Sequence, residues 1–185
     1  MKKYIFDYAR KCKAKTSAGK RCYGGKRLHG SIKGIVIHYT DATPLNTDTA
    51  KNNCDYFATG NNRQASAHIF IDYAGMSARS LPLNTVGFSV GNPNGSFARG
   101  TYYSTLSNAN TVSIELCAIV GRAASEDQIQ TLIKVCKWIK KQCPNVEHIV
   151  RHYDIVKKEC PAYYVENNRE WLKLQRRLKD ACCII

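Results

Sequence analysis

The chain is 185 residues long, 44% hydrophobic and 23% charged, with 12 Gly and 5 Pro, a composition that fits one folded domain and excludes a disordered or fibrous chain. Lys and Arg number 28 against 14 Asp and Glu, and this formal charge of +14 points to a polyanionic partner such as nucleic acid, acidic lipid or an anionic cell wall. No apolar run reaches the roughly 18 residues of a bilayer span. The charged N-terminus MKKYIFDYARKCK leaves no room for a secretory h-region, so the expected protein is cytoplasmic in the cell that makes it.

Residues 1–30 are strongly basic and predict an irregular surface arm behind a short N-terminal helix. From Ile32 the chain turns β-branched, and Ile35, Val36 and Ile37 predict a strand buried on both faces, with His38 near its C-terminal end. Thr47 or Asn46 predicts the cap of a helix running to Ala58 and stopping at Gly60. ASAHIFIDYAG predicts a second strand closing on a turn at Tyr73 to Gly75, with short strands to follow at 77–82 and 86–90. The Gly- and Asn-rich stretch from Gly91 to Asn110 predicts a long loop, and loops of this length usually serve function. Within it Asn110, Tyr102 and Tyr103 are the candidate substrate-binding residues.

TVSIELCAIV then predicts a strand that carries one acid, Glu115, among apolar neighbours. Ser125 with Gln128 three residues on reads as a capping box, ahead of a helix ended by Pro144. HIVRHYDIV predicts a short strand entering a loop. A last helix is expected to turn Trp171, Leu174 and Leu178 inward and Arg169, Lys173, Arg176, Arg177 and Lys179 outward. Strands alternating with helices predict an α/β single domain, a central mixed β-sheet flanked by helices.

The nine cysteines are odd in number and form no C-x-x-C pair, so most read as small buried residues in a reducing compartment. Cys160 is the exception. With His38 and His152 it makes a set of two His and one Cys at the loop-proximal ends of elements, and three protein ligands leave a zinc ion an open fourth position, the arrangement of a catalytic site.

Four segments in order, GIVIHYT (34–40), SAHIFID (66–72), NANTVSIELC (108–117) and RHYDIVKKECP (151–161), resemble the zinc-dependent N-acetylmuramoyl-L-alanine amidases of the amidase-2 family. That family includes phage endolysins, bacterial muropeptide amidases and the animal peptidoglycan recognition proteins. The resemblance implies the fold of these proteins over residues 31–181, zinc held by His38, His152 and Cys160, Glu115 as the group that moves protons, and Lys158 as the cation facing the oxyanion. It implies peptidoglycan as substrate, wall polyanions as partners, a monomer without a separate wall-binding domain, and release onto the wall as a phage or prophage endolysin. A catalytic Tyr that some phage members carry before the second-strand His is replaced by Ala67, and a Trp-His pair found in many members by Phe88 and Ser89.

Rival readings are a peptidoglycan-binding module of the same fold without catalysis, which the retained Cys160 opposes, and a nucleic-acid binder, which has charge but no reading motif. The CCII terminus fits a prenylation box only formally. His29, His68 and His148 have no assigned role, and Asp154 is placed to orient a ligand.

Overall fold

A computed structural model describes residues 5–15, 18–42, 47–59, 64–91 and 95–185. Its strands are β1 (Tyr8–Ala9), β2 (Tyr23–Lys26), β3 (Gly34–Tyr39), β4 (Ile69–Ile71), β5 (Ser77–Arg79), β6 (Thr85–Gly87), β7 (Thr111–Leu116) and β8 (His148–Arg151). Its helices are α1 (Ala50–Ala58), α2 (Glu126–Gln142), α3 (His152–Ile155), α4 (Ala162–Glu166) and α5 (Asn168–Cys182). Six strands form one mixed sheet in the order β1-β5-β4-β7-β3-β8, and β2 pairs with β6 in a separate antiparallel ribbon. In the centre β3 runs parallel to both β7 and β8, and β4 runs parallel to β7.

Alternation along these strands sorts the core into two sides. Ile35, Ile37, Ile114 and Leu116 face α2 and α5, where Leu132, Val135, Ile139, Trp171, Leu174 and Leu178 complete the packing. On the opposite side Phe70 packs with Cys54 and Phe57 of α1, and Val36 and Val150 pack with Val90, Leu106 and Ile155. Each such side chain contributes on the order of 1.5–3 kcal/mol by leaving water, so both faces of the sheet must be covered.

The N-terminal segment differs from the expected helix and free arm. Among the described residues 5–15 there is no helix; β1 adds a parallel strand to the open edge of β5. Cys12, Ala14 and Cys22 are buried beside α1, and Tyr8 Oη donates to Asp55 at 2.6 Å. Edge pairing and burial outweigh the solvation that the local Lys and Arg content predicted.

The cap of α1 is Thr49, whose hydroxyl accepts from Asn52 N at 3.1 Å; Asn46 and Gly60 lie outside the described residues. Ser125 caps α2 as expected, by accepting from Gln128 N. The Gln128 side chain does not return to the cap. It is buried and donates to Ile71 O at 2.8 Å and Cys117 O at 3.0 Å, tying β4 to the end of β7. On α5, Trp171, Leu174 and Leu178 are buried as the pattern predicts, while Lys179 is half-buried instead of fully outward.

Candidate metal centre and substrate cleft

The register of β3 against β7 places His38 opposite Glu115, so the two side chains leave the sheet on the same face at the carboxyl ends of parallel strands. His152 opens α3 directly after β8, the other neighbour of β3. The chain then returns through Lys158 to Cys160, whose backbone oxygen accepts from Tyr153 N at 3.1 Å and so closes the loop against α3. This folding brings one ligand atom each of His38, His152 and Cys160 within 4.8 Å of one another, all three residues buried.

The donor set fits zinc. Ligand bonds of about 2.1 Å to N and 2.3 Å to S in a tetrahedron hold N and S atoms roughly 3.5 Å apart, and His38 Nδ1 lies 3.7 Å from Cys160 Sγ. The rings of His38 and His152 sit 4.8 Å apart between centroids. Both ring nitrogens of His152 and Nε2 of His38 are buried without a hydrogen-bond partner among the described residues, whereas buried polar atoms ordinarily find one. Burial lowers the His38 pKa well below its usual value, with His152 and Lys158 adding to the effect, and burial with Lys158 brings His152 down to about 4. Both imidazoles are therefore neutral, the form that binds metal. Burial, reinforced by Glu115, pushes the Cys160 thiol well up; a thiolate there needs a cation beside it.

His38, Glu115, His152, Lys158 and Cys160 together line a compact cavity of about 90 Å³ that also touches Tyr39 and Asn53. Burial and Asp41 push the Tyr39 phenol up to about 12. A wider groove of about 500 Å³ adjoins it across His152 and Lys158, with Phe88, Ser89, Phe97 and Asn108 among its walls. The strand-end position of Phe88 is pinned by Ser66, which accepts from Phe88 N through Oγ and donates its own N–H to Phe88 O.

The model family whose sequence profile matches this chain is "N-acetylmuramoyl-L-alanine amidase", over residues 28–163. This chain belongs to that family. Among curated proteins it is 31% identical over 165 residues to the N-acetylmuramoyl-L-alanine amidase BlyA of Bacillus subtilis (strain 168), an alignment that takes in 84% of this chain and 43% of that protein. It is 28% identical over 159 residues to the amidase CwlL of Bacillus licheniformis, covering 83% of this chain and 42% of CwlL. The chain thus spans less than half the length of these relatives. In fold it is similar to PlyL, with a TM-score of 0.64 at 18% identity, 94% of this chain and 96% of that one being covered. The catalytic domain of PlyG gives 0.63 at 21% identity, with 94% of each chain covered. The mixed sheet flanked by helices is accordingly the architecture that this chain shares with PlyL and the PlyG catalytic domain.

The structure brings His38, His152, Cys160, Glu115 and Lys158 together, but not the three loop residues taken for substrate contacts. Asn110 is spent on the tight helical turn Asn108–Asn110: its Oδ1 accepts from Ser107 N and its Nδ2 donates to Thr105 O. Tyr102 packs toward Val36 and Leu106 with its ring 5.2 Å from that of His148, and Tyr103 lies under Arg99. From the same loop Gly91, Phe97 and Asn108 reach the groove. The spacing Ser107-x-x-Asn110 held the signal, since it commits Asn110 to capping. Asp154, expected to orient a ligand, instead forms a 2.7 Å ion pair with Arg151, whose guanidinium also donates to Tyr164 O. Ala67 is buried and away from the cleft lining.

Proposed function

We propose that this chain is a zinc-dependent amidase that hydrolyses the bond between the lactyl group of N-acetylmuramic acid and L-alanine in peptidoglycan. The observation that carries the reading is the convergence of His38, His152 and Cys160 at the floor of a cleft that Glu115 and Lys158 also line. Bound there, zinc would supply Lewis-acid polarisation of the scissile carbonyl and a lowered pKa for the attacking water. The neutral imidazoles of His38 and His152 and the sulfur of Cys160 would hold the ion. Glu115 accepts the proton of the attacking water on a carboxylate oxygen and delivers it to the amine nitrogen as the C–N bond breaks. Lys158, which lines the same cleft, would set its ammonium against the carbonyl oxygen, where negative charge develops. The wider groove with Phe88 and Phe97 takes the remainder of the muramoyl peptide.

The setting we favour is a phage or prophage endolysin acting on the wall after release, supported by the +14 charge that suits an anionic wall. No helix among the described residues is long and apolar enough to cross a membrane. Purified protein incubated with sacculi should generate new L-alanine amino termini, and a chelator should abolish them. Cys160→Ser should lose most of its zinc by elemental analysis together with activity. Full zinc occupancy and normal turnover in Cys160→Ser would overturn the ligand assignment.

A further inference from the structure

Asn108 stands in the wall of the wider groove, and the protein itself orients its amide. Oδ1 accepts from two backbone donors, Ser89 N and Val90 N, both at 2.9 Å. An amide offers acceptor lone pairs at one end and N–H donors at the other, so with Oδ1 turned to residues 89 and 90 the flip is fixed and Nδ2 takes the opposite side. Nδ2 comes out beside Gly91, another groove residue, where an added Cβ would lie 4.0 Å from it. No acceptor for Nδ2 is present among the described residues.

The backbone of this residue is equally constrained. Arg27 Nη1 donates to Asn108 O at 3.1 Å and Ala109 O at 3.0 Å, Nη2 to Thr111 O at 2.8 Å, and Nε to Leu83 O at 3.0 Å. A donor fixed in this way loses little freedom when it binds, which is the economy of a preorganised site. Phe88 and Phe97 make the surroundings apolar, while Lys158 supplies the cation that a carboxylate would choose. What remains for a neutral two-proton donor between aromatic walls is a neutral planar acceptor.

We propose that Asn108 is a substrate-binding residue that donates from Nδ2 to an amide carbonyl of the muramoyl peptide. The inference rests on the amidase reading for the identity of that ligand. The carbonyl has two possible sources, the stem peptide or the acetamido group of the sugar, and both present the same chemistry.

Asn108→Asp separates binding from folding, because its carboxylate keeps an acceptor for Ser89 N and Val90 N while a second, anionic oxygen replaces the donors. The expected result is a KM for a soluble muramoyl peptide raised tenfold or more with kcat held within about twofold, since one lost hydrogen bond of this kind is worth roughly a factor of ten. Wild-type KM in folded Asn108→Asp overturns the proposal and leaves Asn108 as a clasp for residues 89 and 90. A second measurement needs neither the variant nor turnover: the side-chain amide resonance of Asn108 is followed by NMR in wild-type protein during titration with free stem peptide and, separately, with N-acetylmuramic acid. A shift with either ligand supports the proposal and names the source; no shift with both overturns it. Active enzyme with an unmoved KM and resonance sinks this inference alone. A wild-type protein that binds through Asn108 yet cleaves nothing sinks the amidase reading alone.

Discussion

His68 is fully buried and committed at both ring nitrogens. Nδ1 accepts from Ser113 N at 3.1 Å and lies 3.0 Å from Ser113 Oγ, and Nε2 lies 2.9 Å from Thr85 O and 3.1 Å from Arg27 Nη2. Burial, with Arg27 nearby, lowers its pKa to about 3, whereas an unfolded histidine titrates near 6.5. Between those values the unfolded chain binds more protons than the folded one, so the contribution of His68 is complete above about pH 6.5 and is lost as pH falls toward 3. His68→Asn keeps an acceptor for Ser113 N–H and does not titrate. Urea unfolding at about pH 7 and about pH 4.5 should show a smaller loss of stability in this variant than in wild type; an equal loss would remove His68 as a source. In the cleft, Glu115→Ala and Lys158→Ala should each lower turnover by about a hundredfold or more while zinc content stays the same. Wild-type turnover by folded Lys158→Ala would take the lysine out of the mechanism. Histidine and cysteine at strand and loop ends were legible because few residue types bind zinc. Asn108 was not, because its role depends on a hydrogen bond to residues 89 and 90 that no local pattern contains.

Two elements meet behind His152, the loop that follows Phe97 and the short helix α3. Gly100 N donates to Ile155 O at 2.8 Å and Tyr102 N to Asp154 O at 2.9 Å, so the loop is strapped along α3. A Cβ on Gly100 would come 2.6 Å from the Asp154 carbonyl carbon and 2.9 Å from that of Ile155, and backbone cannot yield as a flexible side chain does. Gly100→Ala should therefore cost about 1–3 kcal/mol in urea unfolding and weaken zinc retention by moving His152. An unchanged unfolding midpoint would mean the loop shifts freely and does not brace α3. At this scale β3, β7, α2 and α5 were readable from hydrophobic period alone. The strand β1 was not, since its two residues gain their structure from the edge of β5 and not from their own pattern. Gln128 shows the same limit: the spacing from Ser125 signalled a reciprocal cap, and tertiary acceptors on residues 71 and 117 took its side chain instead.

Across the molecule the excess of fourteen positive charges is a long-range feature, and the cleft chemistry is a short-range one. On α5, Arg169 and Arg176 are exposed, while Lys173 and Arg177 pair with Glu170 and Glu126. Exposed charges are screened over about 10 Å at 0.1 M salt and about 3 Å at 1 M. Sedimentation with whole walls should fall steeply across that range, and hydrolysis of a small soluble muramoyl peptide should change little. Wall binding that persists to about 1 M salt would replace the electrostatic account with specific glycan contacts. The His-His-Cys cluster has a further bearing on the molecule as a whole. His38 lies on β3 in the first part of the chain and His152 and Cys160 in the last, and an unfolded chain does not hold the three together. An ion bound only by the native fold shifts the folding equilibrium by RT ln(1 + [L]/Kd), about 2.7 kcal/mol at a hundredfold excess over Kd. The same polypeptide would then resist unfolding and proteolysis differently in metal-poor and metal-rich surroundings, with no change in its covalent structure.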